Sequence, residues 1–142
     1  MMKRLALFLL VGCSVAAVTS DDLDYSTADI QTAVSNVLSV GIQQVEGNDR
    51  IFESKFFRIP IGKKAEAVRK DDIERGMARV TIQGDRRPYV LEVVVGVEEK
   101  GAGAKWSSSG HDERLARQLA DQIQEYLAKH KDKNLIDHFR AF

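Results

Sequence analysis

The sequence predicts an α+β domain in which two helices pack on one face of a three- or four-stranded antiparallel sheet, in the order α-β-β-β-α. Three features predict it. An apolar stripe at helical spacing follows Ser26, a second follows Ser109, and the segments between them alternate apolar with polar residues. A run of strands bracketed by helices favours a helical layer on a sheet.

The first helix is expected from Ser26. Ser26-Thr27-Ala28-Asp29 has the form of a capping box, with an acid facing the exposed backbone N–H groups of the first turn. Ile30, Ala33, Val34, Val37 and Leu38 share one face, and Gly41 or Gly47-Asn48 ends the helix. Ile51 to Ile61 reads as strand and stops at Pro60 and Gly62, whereas residues 63–75 fit a strand, a loop or a short helix. Gly76 to Gln83 places Ala78, Val80 and Ile82 on one side. Tyr89 to Val97 does the same with Tyr89, Leu91, Val93, Val95 and Val97, and Gly84 to Pro88 marks the hairpin between them. Residues 99–110 read as a Gly/Ser-rich loop with room for a short strand around Trp106. The second helix then begins near Ser109, with Leu115, Ala116, Leu119, Ile123, Tyr126 and Leu127 as its stripe. Lys129, Lys131 and Lys133 stand where cations favour a helix C-terminus, and Leu135, Ile136, Phe139 and Phe142 predict that the tail docks.

Ahead of this domain, Lys3 and Arg4 precede an unbroken apolar run from Leu5 to Val11, the grammar of an export signal. Even Leu5 to Val18 would reach only about 21 Å as a helix, short of a hydrocarbon core of about 30 Å. Leu10-Val11-Gly12-Cys13 resembles the lipobox of bacterial lipoproteins, with an apolar residue three before the cysteine and a small one just before it. The resemblance implies cleavage before Cys13, diacylglycerol on its sulfur and anchoring to a membrane. Ser14 after it implies the outer membrane, facing the periplasm. Two or more acyl chains make such anchoring stable. A general signal peptidase acting near Ser14-Val15-Ala16 is the competing reading. The expected organisation is a signal peptide over 1–12, a lipidated cysteine and tether over 13–25, and one domain over 26–142. Fully extended, the tether reaches roughly 40 Å.

Apolar residues make up 44% and charged residues 30% of the chain, the balance of a globular protein. Removing Lys3 and Arg4 with the leader leaves two more acids than bases, which argues against a nucleic-acid binder. Catalytic signatures are weak, and the expectation is a protein that is not an enzyme and takes no cofactor or metal. Gly101 to Lys105 lacks the end of a phosphate loop. His111, Asp112 and Glu113 are adjacent, so on a helix they diverge instead of sharing an ion. Ser107, Ser108 and Ser109 lack the elbow of a hydrolase nucleophile.

Two features could carry binding. Lys55, Arg58, Lys63, Lys64, Arg69 and Lys70 give residues 55–70 a local basic excess that could meet an anionic lipid or glycan, or an acidic protein. The bland alternative is a solvated face balanced by Asp71, Asp72 and Glu74. Phe56 and Phe57 are neighbours on a strand, so they point to opposite sides. One of them, with Val90 and Val94, falls on the face away from the helices, where either the 135–142 tail covers it or an apolar patch remains for a partner. The leading expectation is a membrane-tethered module binding an envelope protein, the alternative is direct lipid or glycan binding by the basic segment, and the third reading is a hydrolase-type enzyme.

Overall fold

The computed structural model describes the backbone of residues 17–140 and the side chains of residues 17–130. The first helix, α1 (Thr27–Val37), starts where its cap requires: the Asp29 N–H donates to the Ser26 hydroxyl at 3.1 Å. Its stripe Ile30, Ala33, Val34 and Val37 is buried, and Gly41, at φ +113°, turns the chain into the sheet.

The sheet is antiparallel throughout and has seven strands. Two long strands form its centre, β5 (Glu74–Gln83) and β6 (Tyr89–Lys100), paired from Glu74 opposite Glu99 to Gln83 opposite Val90. Each is flanked by two short strands laid end to end. Along β5 run β3 (Ile51–Ser54) and β4 (Phe57–Arg58). Along β6 run β1 (Val18–Leu23) and β7 (Trp106–His111). An edge strand, β2 (Ile42–Glu46), pairs with β3. One end of the sheet therefore reads β2-β3-β5-β6-β1, and the other β4-β5-β6-β7.

The expected three or four strands in the order α-β-β-β-α are thus corrected to seven strands in the order β-α-β-β-β-β-β-β-α. The physical reason lies in the edges. In β1, within the stretch read as tether, the register shifts between Ser20 and Leu23 and Asp22 sits at φ 58°. Val18, Ser20 and Leu23 still point inward, but the period-two signal is broken. β2 and β7 are mostly exposed edge strands made by backbone pairing, so they carry little apolar alternation. Because His111 is still opposite Gly96, the second helix, α2 (Glu113–Arg140), cannot begin at Ser109. Its cap is Asp112, whose carboxylate accepts from the Leu115 N–H at 3.1 Å. α2 continues well past Lys129, so the lysines there are not at its end. The side chains expected to dock the tail lie outside the described residues.

α1 packs on α2, and α2 lies over β6 and β1. The stripes of both helices and the inward residues of the sheet, among them Phe52, Phe57, Ala78, Val80, Leu91, Val93 and Val95, form one core. Residues 59–73 form a loop rather than a regular element, with Ile61 and Ala65 buried and a bridge between Phe57 and Ala67.

Candidate docking site on the open sheet face

Strand alternation sends every second residue of the sheet away from the helices. On β5 these are Arg75, Met77, Arg79 and Thr81, and on β6 they are Val90, Glu92, Val94, Glu98 and Lys100. Both helices belong to the opposite side, so among the described residues this face is the open one. Most of its length is studded with charge. Arg79, for example, faces Glu53 at 3.5 Å and Glu46 at 4.0 Å.

At the β4–β7 end the character changes. Cross-strand pairing aligns Arg58, Arg75, Glu98 and Ser108 in one row across four strands. The Arg75 guanidinium sits 3.7 Å from the centre of the Phe56 ring and 4.3 Å from that of Trp106. Glu98 fixes it from the next strand at 2.6 Å, and Lys100 reaches the same Trp106 ring at 5.3 Å. A cation over an aromatic ring is worth about 0.5–2 kcal/mol, more as water is excluded. Arg75 keeps only 21% of its side chain exposed, so two rings and a carboxylate hold it in one orientation. Ile73, two residues before Arg75, leaves 70% of its surface in solvent, and its carbonyl accepts from the Lys100 N–H at 2.8 Å. An exposed branched aliphatic therefore borders the arginine–aromatic cluster.

The margin of the cluster is fastened by Asp72. Its carboxylate receives the Arg69 backbone N–H at 2.8 Å and both the Nε and an Nη of Arg58, at 2.9 and 3.3 Å. The Arg69 N–H foremost, then the Arg58 guanidinium, hold its carboxyl below the ordinary value of 3.8 against the opposing effect of burial. Lys100 closes the same margin by donating to the Lys70 carbonyl at 3.1 Å.

The residues singled out in the sequence do not form one patch. Phe56, Arg58, Arg69 and Lys70 gather at this end, with Arg58 already engaged by Asp72. Phe57 points the other way and is fully buried in the core. Lys55 donates its backbone N–H to the Gly41 carbonyl and runs its side chain past that glycine. Lys63 and Lys64 line a groove beside α2, on the helical side of the sheet. Cys13 lies outside the described residues. Sequence reasoning missed Ile73, Arg75, Glu98, Lys100 and Trp106, which the register of four strands brings together. The one usable signal was phase: Arg75 sits an odd step from the inward-facing Ala78 and Val80, so it shares the face that Phe56 takes when Phe57 is buried.

The Gly101 to Lys105 turn joins two antiparallel strands through a three-residue 3-10 turn, Ala102–Ala104, and feeds no α-helix, so it has no α-helix N-terminus to offer a phosphate. His111 is in β7, Asp112 caps α2 and Glu113 opens it, and among the described residues no group of His, Cys, Asp or Glu is placed to share a metal ion. Comparison with known proteins finds no protein-family model and no curated protein that matches the chain.

Proposed function

We propose that this protein is a lipid-anchored, non-catalytic module of the bacterial cell envelope, at the outer membrane facing the periplasm, and that it docks an envelope protein on the β4–β7 end of its open sheet face. The anchor rests on the lipobox-like residues ending at Cys13. The docking surface rests above all on Arg75 stacked over Phe56 and Trp106 beside the exposed Ile73. Arginine and tryptophan dominate the energetic centres of protein interfaces, because they bury large areas while keeping donors available. Here the arginine is ordered before any partner arrives, so little side-chain freedom remains to be lost on binding. The exposed serines of β7 and the ion pair of Arg58 with Asp72 supply a polar rim. Asp72 suits that structural part, since a carboxylate whose proton affinity is lowered is a weak general base near neutral pH.

The test is site-specific photo-crosslinking in intact cells. A photoreactive residue at Ser108, in the same row as Arg75, is expected to trap a discrete protein, and the same probe at Arg117 on α2 is expected to trap none. No adduct at Ser108, or identical adducts at both positions, would refute the docking surface. The anchor is tested separately, by mass spectrometry of the mature N-terminus. Cys13→Ala protein that is processed and membrane-bound like the parent would refute lipidation.

A further inference from the structure

The helical side of the molecule carries a second concavity, a groove of about 660 Å³ between the 61–64 loop, the end of α1 and α2. That volume is within the range of sites for small ligands. We propose that this groove binds a phosphate ester of a polyol, such as a sugar phosphate or a phosphoglycerol headgroup.

Three observations point to that chemistry. First, the loop is held by α2. The Gln118 and Gln122 side-chain amides donate to the Ile61 and Gly62 carbonyls at 2.8 and 3.0 Å, and Ile61 is buried. The wall that carries Lys63 and Lys64 is therefore fixed before a ligand enters. Second, the lining is cationic. Lys63, Lys64 and Lys129 face one acid, Glu125, which pairs with Lys129 at 3.0 Å. Among the described residues, Lys63 and Lys64 have no ion pair, so two neighbouring like charges remain uncompensated, and an anion between them relieves their repulsion. Third, the remainder of the lining suits a hydroxylated skeleton. Gln122 keeps a buried acceptor, Oε1, without a hydrogen-bond partner, and the side chain of Tyr126, stacked on His130 with ring centres 3.8 Å apart, gives a flat wall. A phosphate answers the lysines, and hydroxyls supply donors that the phosphoryl oxygens of an ester lack.

This groove and the Arg75 cluster lie on opposite sides of the sheet, so either can fail without the other. The experiment is an NMR titration of the full chain in a non-ionic polyoxyethylene detergent with three probes: glucose 6-phosphate, glycerophosphoglycerol and glucose. Saturable shifts are expected at residues 61–64 and 118–129 with one or both phosphates, and none with glucose. A preference for glucose 6-phosphate identifies a free sugar phosphate, and a preference for glycerophosphoglycerol identifies a lipid headgroup. The double reversal Lys63→Glu and Lys64→Glu is expected to weaken binding tenfold or more, and Lys64→Gln alone by less. Both lysines are exposed, so neither change disturbs the core. The control reversal Lys105→Glu, in the turn before β7, is expected to change nothing. Absence of binding by both phosphates, equal binding of glucose, or affinity unchanged by the double reversal would overturn the proposal.

Discussion

Gly76 is where the core fixes the position of the candidate docking site. It pairs with Phe57 across β4 and β5, and a Cβ built on it would lie 2.6 Å from Cε2 and 2.8 Å from Cζ of the Phe57 ring. Carbon atoms prefer about 3.5–4.0 Å, so Gly76→Ala requires the ring to retreat by roughly 1 Å. Phe57 has no exposed surface, and the ring has nowhere to go without moving β4. Two effects compete. Alanine in a strand interior gains about 0.5–1 kcal/mol over glycine through chain entropy, while overpacking a closed core loses about 1–3 kcal/mol. Overpacking wins, for a net loss of about 1–2 kcal/mol. With a urea dependence of about 1–3 kcal/mol per molar, the unfolding midpoint should fall by about 0.3–2 M. In a Phe57→Leu background the smaller side chain leaves room, so the two changes should be less than additive, whereas independent sites add within about 0.3–0.5 kcal/mol. A Gly76→Ala midpoint at or above that of the parent, or strict additivity with Phe57→Leu, would refute the reasoning. Phe56 and Arg58 flank Phe57 in sequence, so the same substitution is also expected to loosen Phe56 from Arg75.

The other predictions concern the same end of the sheet and the first helix. Trp106 is the single tryptophan of the chain, so its emission reports the cluster directly; Arg75→Ala is expected to shift it to the red, raise its quenching by acrylamide and destabilise the fold by about 1–2 kcal/mol. Asp72 has a lowered folded pKa, so its stabilising contribution is complete above its ordinary value of 3.8 and is lost as pH falls through the lowered one. Unfolding midpoints of the parent and Asp72→Asn should therefore differ near neutral pH and converge as pH falls through the lowered value, and a gap that persists in acid would argue against the assignment. Ser26→Ala removes the acceptor for the Asp29 N–H and should lower stability by about 1 kcal/mol in a denaturation series.

What could be read in the sequence follows burial. The stripe from Ile30 to Leu38, the stripe from Leu115 to Leu127, and the hairpin through Gly84 all press apolar residues against a core, and their periods are clean. Strands held by backbone pairing at an edge leave no such trace. Ser107, Ser108 and Gly110 are a strand only because Glu99, Glu98 and Val97 stand opposite them. Half of the candidate site was visible in the adjacent pair Phe56 and Phe57, since alternation alone sends one of them to the open face. The other half was not, because Arg75 meets Trp106 only after four strands have taken their register. The basic segment misled for a similar reason: proximity in sequence put Arg58 with Lys63, but the loop at Ile61 carries Lys63 and Lys64 round to the helical side, while Lys70 returns to the end that holds Arg58.

The strand at Val18 changes what an anchor at Cys13 would impose. Val18 pairs with Val93, and β1 then runs toward Tyr89, so the chain enters the sheet in the middle of β6 from the side where β7 takes over at Gly96. Cys13 to Val18 can span at most about 18 Å, less than half of the reach expected for a tether ending at residue 25. From Val93 to Glu98, the partner of Arg75, is about 17 Å along the strand. With lipid on Cys13, the arginine–aromatic cluster is therefore confined to within about 35 Å of the attachment point, on the half of the sheet nearer to it. A protein that docks there must present its own surface close to the bilayer. With that anchor, a partner that is itself membrane-embedded or anchored is favoured over one diffusing freely in solution, because two membrane-held surfaces meet at a high effective concentration and need only a modest interface.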